Sequence, residues 1–314
     1  MRLPDISAIK KSEKAFSKSF LSVSHILSQY LEQIELTVAV NKQFTSEPFN
    51  LIALSLFSKL RRHYYSFVLL ETSHDQVGSQ LLVEHLYEAA ITLTYLLEEA
   101  DERLFSDYVA ASIRQAHHLL LDIESRLQVF SNHLGLLALR DKLRSYIAQQ
   151  QKHPVTLSVA PCSEPYVWGL QDADTTAKRA TLTNLNFLTN PARSISLSVV
   201  PASCLDLQLN YLRAFAGGST TKTESSINFT YLRDTSHLCL HATRTFLEEV
   251  ANTYQDGGTL EIRRLDKSLD KFFEWFYRAY EAYKVNFSVR EEIQSLRVDS
   301  SLLRPESTAS EGCC

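Results

Sequence analysis

The chain has 314 residues, 45% of them hydrophobic and 22% charged, with a formal net charge of −4, eight glycines and eight prolines. The apolar content is enough for a packed core of one large or two ordinary domains, and the scarcity of Gly and Pro favours helices over many short strands. The charge balance argues against a broad nucleic-acid surface and leaves nucleic acid only a local basic patch.

The five cysteines, Cys162, Cys204, Cys239, Cys313 and Cys314, include no CxxC pair. They form neither a disulfide framework nor a zinc site, which points to a reducing cytoplasm. The N-terminus has no apolar leader core, and no run approaches the ~18 uncharged apolar residues of a membrane span. A soluble cytoplasmic protein without a membrane partner is expected.

Residues 6 to 42 read as one long helix, because Phe16, Phe20, Val23, Leu27, Tyr30, Ile34 and Val38 recur at spacings of three and four. Thr45 or Ser46 can cap the next helix, with Pro48 near its first position. That helix runs into the stretch from Tyr64 to Leu97, around which the chain is organised. On a single continuous helix, Glu71, His74, Asp75 and His85 would interrupt the apolar face of Leu60, Tyr64, Phe67, Leu82, Leu86 and Leu93. Buried carboxylates need partners, so such a patch calls for contacts from other helices. The alternative is a helix break between Thr72 and Ser79, where Thr, Ser, Asp and Gly cluster.

Asp101 is placed to cap a helix over 102–131, striped by Leu104, Tyr108, Ala111, Leu119, Ile123, Leu127 and Phe130. Asn132 to Gly135 signals a turn, and a shorter helix follows to Gln151, stopped at His153-Pro154. Residues 153–226 lose this pattern. They read as an irregular Pro-, Ser- and Thr-rich insertion, with Ser194–Val200 as strand or extended loop and Cys204–Phe215 as one helix. The insertion separates an N-terminal helical half, 1–152, from a C-terminal half, 227–297. That second half has helices over 228–254 and 259–285, the latter with a core face of Leu260, Leu265, Leu269, Phe272, Phe273, Phe276, Tyr280 and Tyr283. Residues 298–314 are polar and read as a disordered tail. The expected fold is all-α: a multi-helix, bundle-like domain of about seven long helices with an irregular insertion.

Three kinds of chemistry have partial signatures in this sequence. A phosphate loop would need glycine where Ala216 and Thr221 flank Gly217 to Lys222, so that segment is read as a loop. A di-metal helical bundle needs Glu-x-x-His, which puts two ligands on one helix face. Glu71 with His74, and Asp234 with His237, have that spacing, and Glu84, Glu88 and Glu124 offer further carboxylates. With 36 acids and 10 histidines over 314 positions, chance supplies about one such spacing. His237 and His241 also share a helix face, which suits a metal or a shared hydrogen bond. Finally, Arg126 and His133 match the Arg-x4-6-His spacing of the HEPN (higher-eukaryote and prokaryote nucleotide-binding) ribonucleases. Those enzymes need no metal: Arg holds phosphate and His serves as acid or base. Leu127 stands where that family carries a polar residue. The terminal Gly312-Cys313-Cys314 resembles the prenylated end of Rab-type GTPases, but nothing else in the chain does.

Two segments, Glu84 to Tyr108 and Tyr231 to Thr243, resemble an uncharacterised bacterial all-helical family, over roughly residues 50–250. Glu88, Tyr95, Arg103 and Tyr108 match in the first, and Tyr231, Ser236 and His241 in the second; Val83 stands where the family has Arg. The resemblance implies that the two segments meet in space around Glu88, Arg103 and His241, and it brings no established activity. The function expected is therefore an interaction or regulatory module without catalysis or cofactor, working through a protein partner or self-association. A HEPN-like ribonuclease or nucleotide-binding protein is the alternative, and a carboxylate-bridged metal protein the third reading.

Overall fold

The computed structural model describes residues 3–6, 12–99, 102–150, 175–185, 229–253 and 259–288. The described chain is all-α, with seven helices of 17 residues or more and no strand among the described residues. The expected strand and helix at 194–200 and 204–215, the loop at 216–223 and the polar tail lie outside the described residues.

Helix α1, Glu13–Ala39, starts where the Ser12 side chain accepts the Ala15 N–H, with Glu13 in the first turn to suit the positive helix end. It does not continue to residue 42. Asn41 turns the chain and accepts the Phe44 N–H at 3.0 Å, opening the short helix α2, Lys42–Thr45, which drives Phe44 fully into the core. Pro48 then opens α3, Pro48–Thr72, at a position where its missing N–H costs nothing.

The organising stretch is a helical hairpin. α3 ends at Thr72, His74 takes a left-handed φ of 60°, and α4, Gln76–Glu99, begins with the Asp75 carboxylate accepting the Gly78 N–H at 2.9 Å. A Cβ at residue 78 would sit 2.7 Å from that carboxylate, so a larger residue there would shift the capping side chain. α4 is the central helix, packed by α3 and by elements on its other sides. From Ala89 to Leu97 every residue is buried, which explains the run AAITLTYLL with no polar face.

Two further long helices follow, and only the start of the first reaches the main core. α5 is Glu102–Val129 and α6 is Leu134–Gln150. Within the segment expected to be irregular, α7, Thr176–Leu182, is capped by Thr175 and packs on α4 through buried Arg179 and Ala180. α8, Phe229–Thr253, packs on α4, α3 and α9, Thr259–Tyr283, and α9 runs on into a π turn at Lys284–Ser288. Aromatic contacts tie α1, α8 and α9 together: Phe16 to Phe229 at 5.0 Å, Phe20 to Phe276 at 5.3 Å, and Phe229 to Tyr283 at 4.5 Å. Phe57 of α3 stacks on Phe246 of α8 at 4.5 Å. The aromatic face of α9 is core from Leu265 to Tyr283, as its spacing predicts, while Leu260 in the first turn is exposed.

One buried polar link crosses this core. The Tyr64 hydroxyl lies 2.8 Å from Ser236 Oγ, and Ser236 already donates to the Leu232 carbonyl at 2.7 Å, so Tyr64 is the donor. Tyr64→Phe removes one neutral hydrogen bond and leaves Ser236 satisfied as a donor. A loss of about 1 kcal/mol in urea denaturation is expected. A loss above ~3 kcal/mol would show that the hydroxyl holds more than this one bond.

Candidate functional site

Glu71 lies in the last turn of α3 and is only 3% exposed. Burial pushes its carboxyl above the ordinary carboxylate range, against the smaller opposing effects of a hydrogen bond from Ser79 and the charge of His74. Tyr231 of α8 is near enough that the Glu71 charge, added to burial, raises its phenol well above the ordinary value. No ion pair to Glu71 occurs among the described residues. The partner expected from another helix is therefore hydroxyl chemistry rather than a cation. His74 and Asp75, one turn on, are exposed, because the break rotates them out of the face that a continuous helix would have given them.

The sign of the pH effect follows. A carboxyl whose folded pKa is raised favours the folded state at low pH and weakens it as pH rises through the ordinary value of 4.5 and beyond. Glu71→Gln keeps an acceptor for Ser79 and removes the charge. It is expected to stabilise the protein near neutral pH, with the gain disappearing well below pH 4.5, as read by urea denaturation at both extremes. Destabilisation at neutral pH would reveal a countercharge.

Asp234, His237 and His241 come together on α8. Arg233, His237, His241 and Arg244 form a row at spacings of four, four and three along the face that meets α9, with Asp234 beside Arg233. The Arg233 guanidinium lies 3.8 Å over the Tyr280 ring and pairs with Asp234. His237 packs on Phe273 and Phe276, and His241 meets Phe273 edge-on at 4.9 Å. Arg244 lies over Phe273 and pairs with Asp266 and Asp270. Burial pushes the His237 imidazole down to about 4, helped by Arg233 and His241, and its Nε2 is buried with no hydrogen-bond partner in the structure. Burial and Arg244 lower His241 as well. The seam is thus two neutral imidazoles between two arginines whose charges are already matched. Arg233 and Arg244 were missed in the sequence, and the four-four-three spacing was the available signal for them.

The other candidates do not join this seam. Glu88 is half-buried on α4, which packs against α8, while Arg103 is exposed in the first turn of α5. Arg126 is exposed and pairs with Asp122 at 2.9 Å. His133 is exposed in the turn between α5 and α6, where its Nδ1 accepts the Leu136 N–H at 3.2 Å. Glu84 is exposed, and Glu124 pairs with Arg144. Among the described residues no group of three His, Cys, Asp or Glu side chains is placed to hold a metal ion. An open cleft of about 820 Å³ between α1 and α9, lined by Gln29, Tyr30, Gln33, Glu261, Arg264 and Ser268 among others, contains none of the predicted site residues. No helix among the described residues is long and apolar enough to cross a membrane.

A different feature stands out on α5 and α6. Of the predicted α5 stripe, Leu104, Ala111 and Ile123 are buried, but Leu119 is 42% and Phe130 60% exposed. The main core ends on this helix at Ala111. Beyond it, among the described residues, α5 packs on α6, and Ile113, Ala116, Ile123 and Ile147 are buried outside the main core. Leu121, Val129, Leu134 and Leu139 are exposed on the same hairpin. The stripe is longer than the layer that covers it.

No protein-family model matches the chain, and no curated protein or solved structure shows significant similarity to it.

Proposed function

We propose that this protein is a helical interaction module without a reaction centre, and that its contact element is the α5–α6 hairpin. One observation carries the reading: an apolar stripe that continues past the main core and stays exposed at Leu119, Phe130 and Leu139. Large exposed apolar side chains grouped on one element mark contact surfaces on soluble proteins. The arrangement at the candidate catalytic positions supports the same reading. His133 spends a ring nitrogen on a helix start, Arg126 is matched by Asp122, and the α8 arginines are matched by carboxylates.

The test is site-specific photocrosslinking in expressing cells, with adducts identified by mass spectrometry. A photoreactive side chain at Phe130 or Leu139 should give the same identified adduct, and one at exposed Gln128, on the outer side of α5, should not. Equal labelling from all three positions, or none from any, would remove the hairpin as a contact element.

A further inference from the structure

We infer that the occupant of this surface is a second copy of the chain: two α5–α6 hairpins stack antiparallel, face to face, into a four-helix bundle. The inference rests on the reading of the hairpin as the contact element and names its partner.

The face follows from helical geometry. Glu124 and Arg144 form an ion pair across the hairpin, so both lie on one of its two broad sides. At 100° per residue, Leu119 and Phe130 lie about 120–140° around α5 from Glu124, and Leu139 and Tyr146 lie about 140–160° around α6 from Arg144. All four therefore share the opposite broad side. Leu136 and Leu143, half-buried, border it.

That side is compatible with its own reversal, as a two-fold interface requires. Leu119 and Phe130 are eleven residues apart, about 16 Å along the axis. α5 ends at Val129 and α6 begins at Leu134, so counting back from the turn puts Leu139 level with the midpoint between them. Turning one hairpin end for end places Leu119 over Phe130 of the other copy and brings the two Leu139 side chains to the axis.

Charge and area agree. Asp122 and Arg126 lie on this face, ~160° around α5 from Glu124, and pair with each other; end-for-end reversal sets each near its opposite charge on the second copy, and sets Lys142 of α6 near Leu136 rather than near another lysine. The hairpin runs about 27 Å beyond Ala111, and two helices roughly 10 Å apart make a layer about 20 Å wide. Such a face is on the order of 500 Å² in plan and larger in accessible area, the scale of the ~800 Å² per partner in stable complexes. A two-helix layer alone buries only its seam, and a second layer completes it.

Sedimentation of the purified full chain decides the matter. The parent should be a dimer at about 100 µM, a concentration at which even a Kd of ~10 µM populates it. The double variant Leu119→Glu with Phe130→Glu should sediment as a monomer with an unchanged circular dichroism spectrum, while Leu121→Glu, on the other broad side, should stay dimeric. A photoreactive side chain at Leu139 in the purified protein should give an adduct of twice the chain mass, which keeps the test alive if the double variant fails to fold. A monomeric parent would overturn the inference, and so would a dimer that survives both glutamates. In either case an identified heterologous adduct from Phe130 in cells would leave the contact-element reading standing, and its absence would remove both.

Discussion

Phe276→Ala is expected to destabilise the protein by about 3–5 kcal/mol, the range for deleting a fully buried aromatic ring. The ring is 0% exposed and touches three elements at once. It lies 5.3 Å from Phe20 of α1, 5.4 Å from Trp275 on its own helix, and 6.4 Å from His237 of α8. Each of these neighbours is fixed elsewhere. Phe20 also packs on Phe229, and the Trp275 indole donates to the Pro4 carbonyl at 2.9 Å, pinning the N-terminal segment onto α9. The walls of the vacated space are therefore held apart and collapse little, which puts the cost toward the upper end of the range. Phe276→Leu, which refills most of the volume, should recover more than half of it. Urea denaturation of the two variants reads both values. A loss below ~1 kcal/mol for the alanine would mean that α9 carries less of the core than its aromatic face indicates.

The legible part of this fold was the part governed by periodicity. The spacing of Phe16 to Val38 and of Leu265 to Tyr283 identifies which face of α1 and α9 is apolar, and both faces are core. The cluster Thr72 to Ser79 contains the break, though periodicity alone left a continuous helix open. What decides it is Asp75 capping Gly78 and the left-handed turn at His74, a local hydrogen bond against a helical phase. Periodicity does not say what covers a face. The α5 stripe reads as core throughout its length, yet Leu119 and Phe130 lie past the end of the bundle, because coverage depends on where the other helices stop. The α8 seam shows the same limit. His237 and His241 are recognisable as one face, but the aromatic rings that desolvate them come from Phe273 and Phe276, more than thirty residues on. A spacing that suits metal ligands thus belongs to a helix–helix contact. Whether Glu71 is buried was left open by the sequence, and its company, Ser79 and Tyr231, was missed because hydroxyls carry no pattern of their own.

That seam makes stability fall on acidification, and His237 should account for most of the fall. A histidine whose folded pKa is depressed binds its proton more readily in the unfolded chain, so stability rises with pH between the two values and is lost on going down. For His237 the window runs from the ordinary 6.5 to about 4. A depression of that size corresponds to about 3 kcal/mol once the pH is below both values. The groups that face the ring explain it. Phe273 and Phe276 of α9 exclude water, Arg233 one turn back and His241 one turn on oppose a second positive charge, and the nearby Asp234 is already engaged by Arg233. Glu71 and Asp234 act with the opposite sign, since their raised carboxyls favour the folded state at low pH, and His241 acts with the same sign as His237, so the parent curve sums several effects. The comparison of His237→Leu with the parent isolates the histidine. The two should differ little near neutral pH, and the variant should be the more stable by up to about 3 kcal/mol near pH 4. Parallel stability curves for parent and variant from pH 7 to pH 4 would mean that the ring takes up its proton without leaving the seam, and that the α8–α9 contact opens to water on its own.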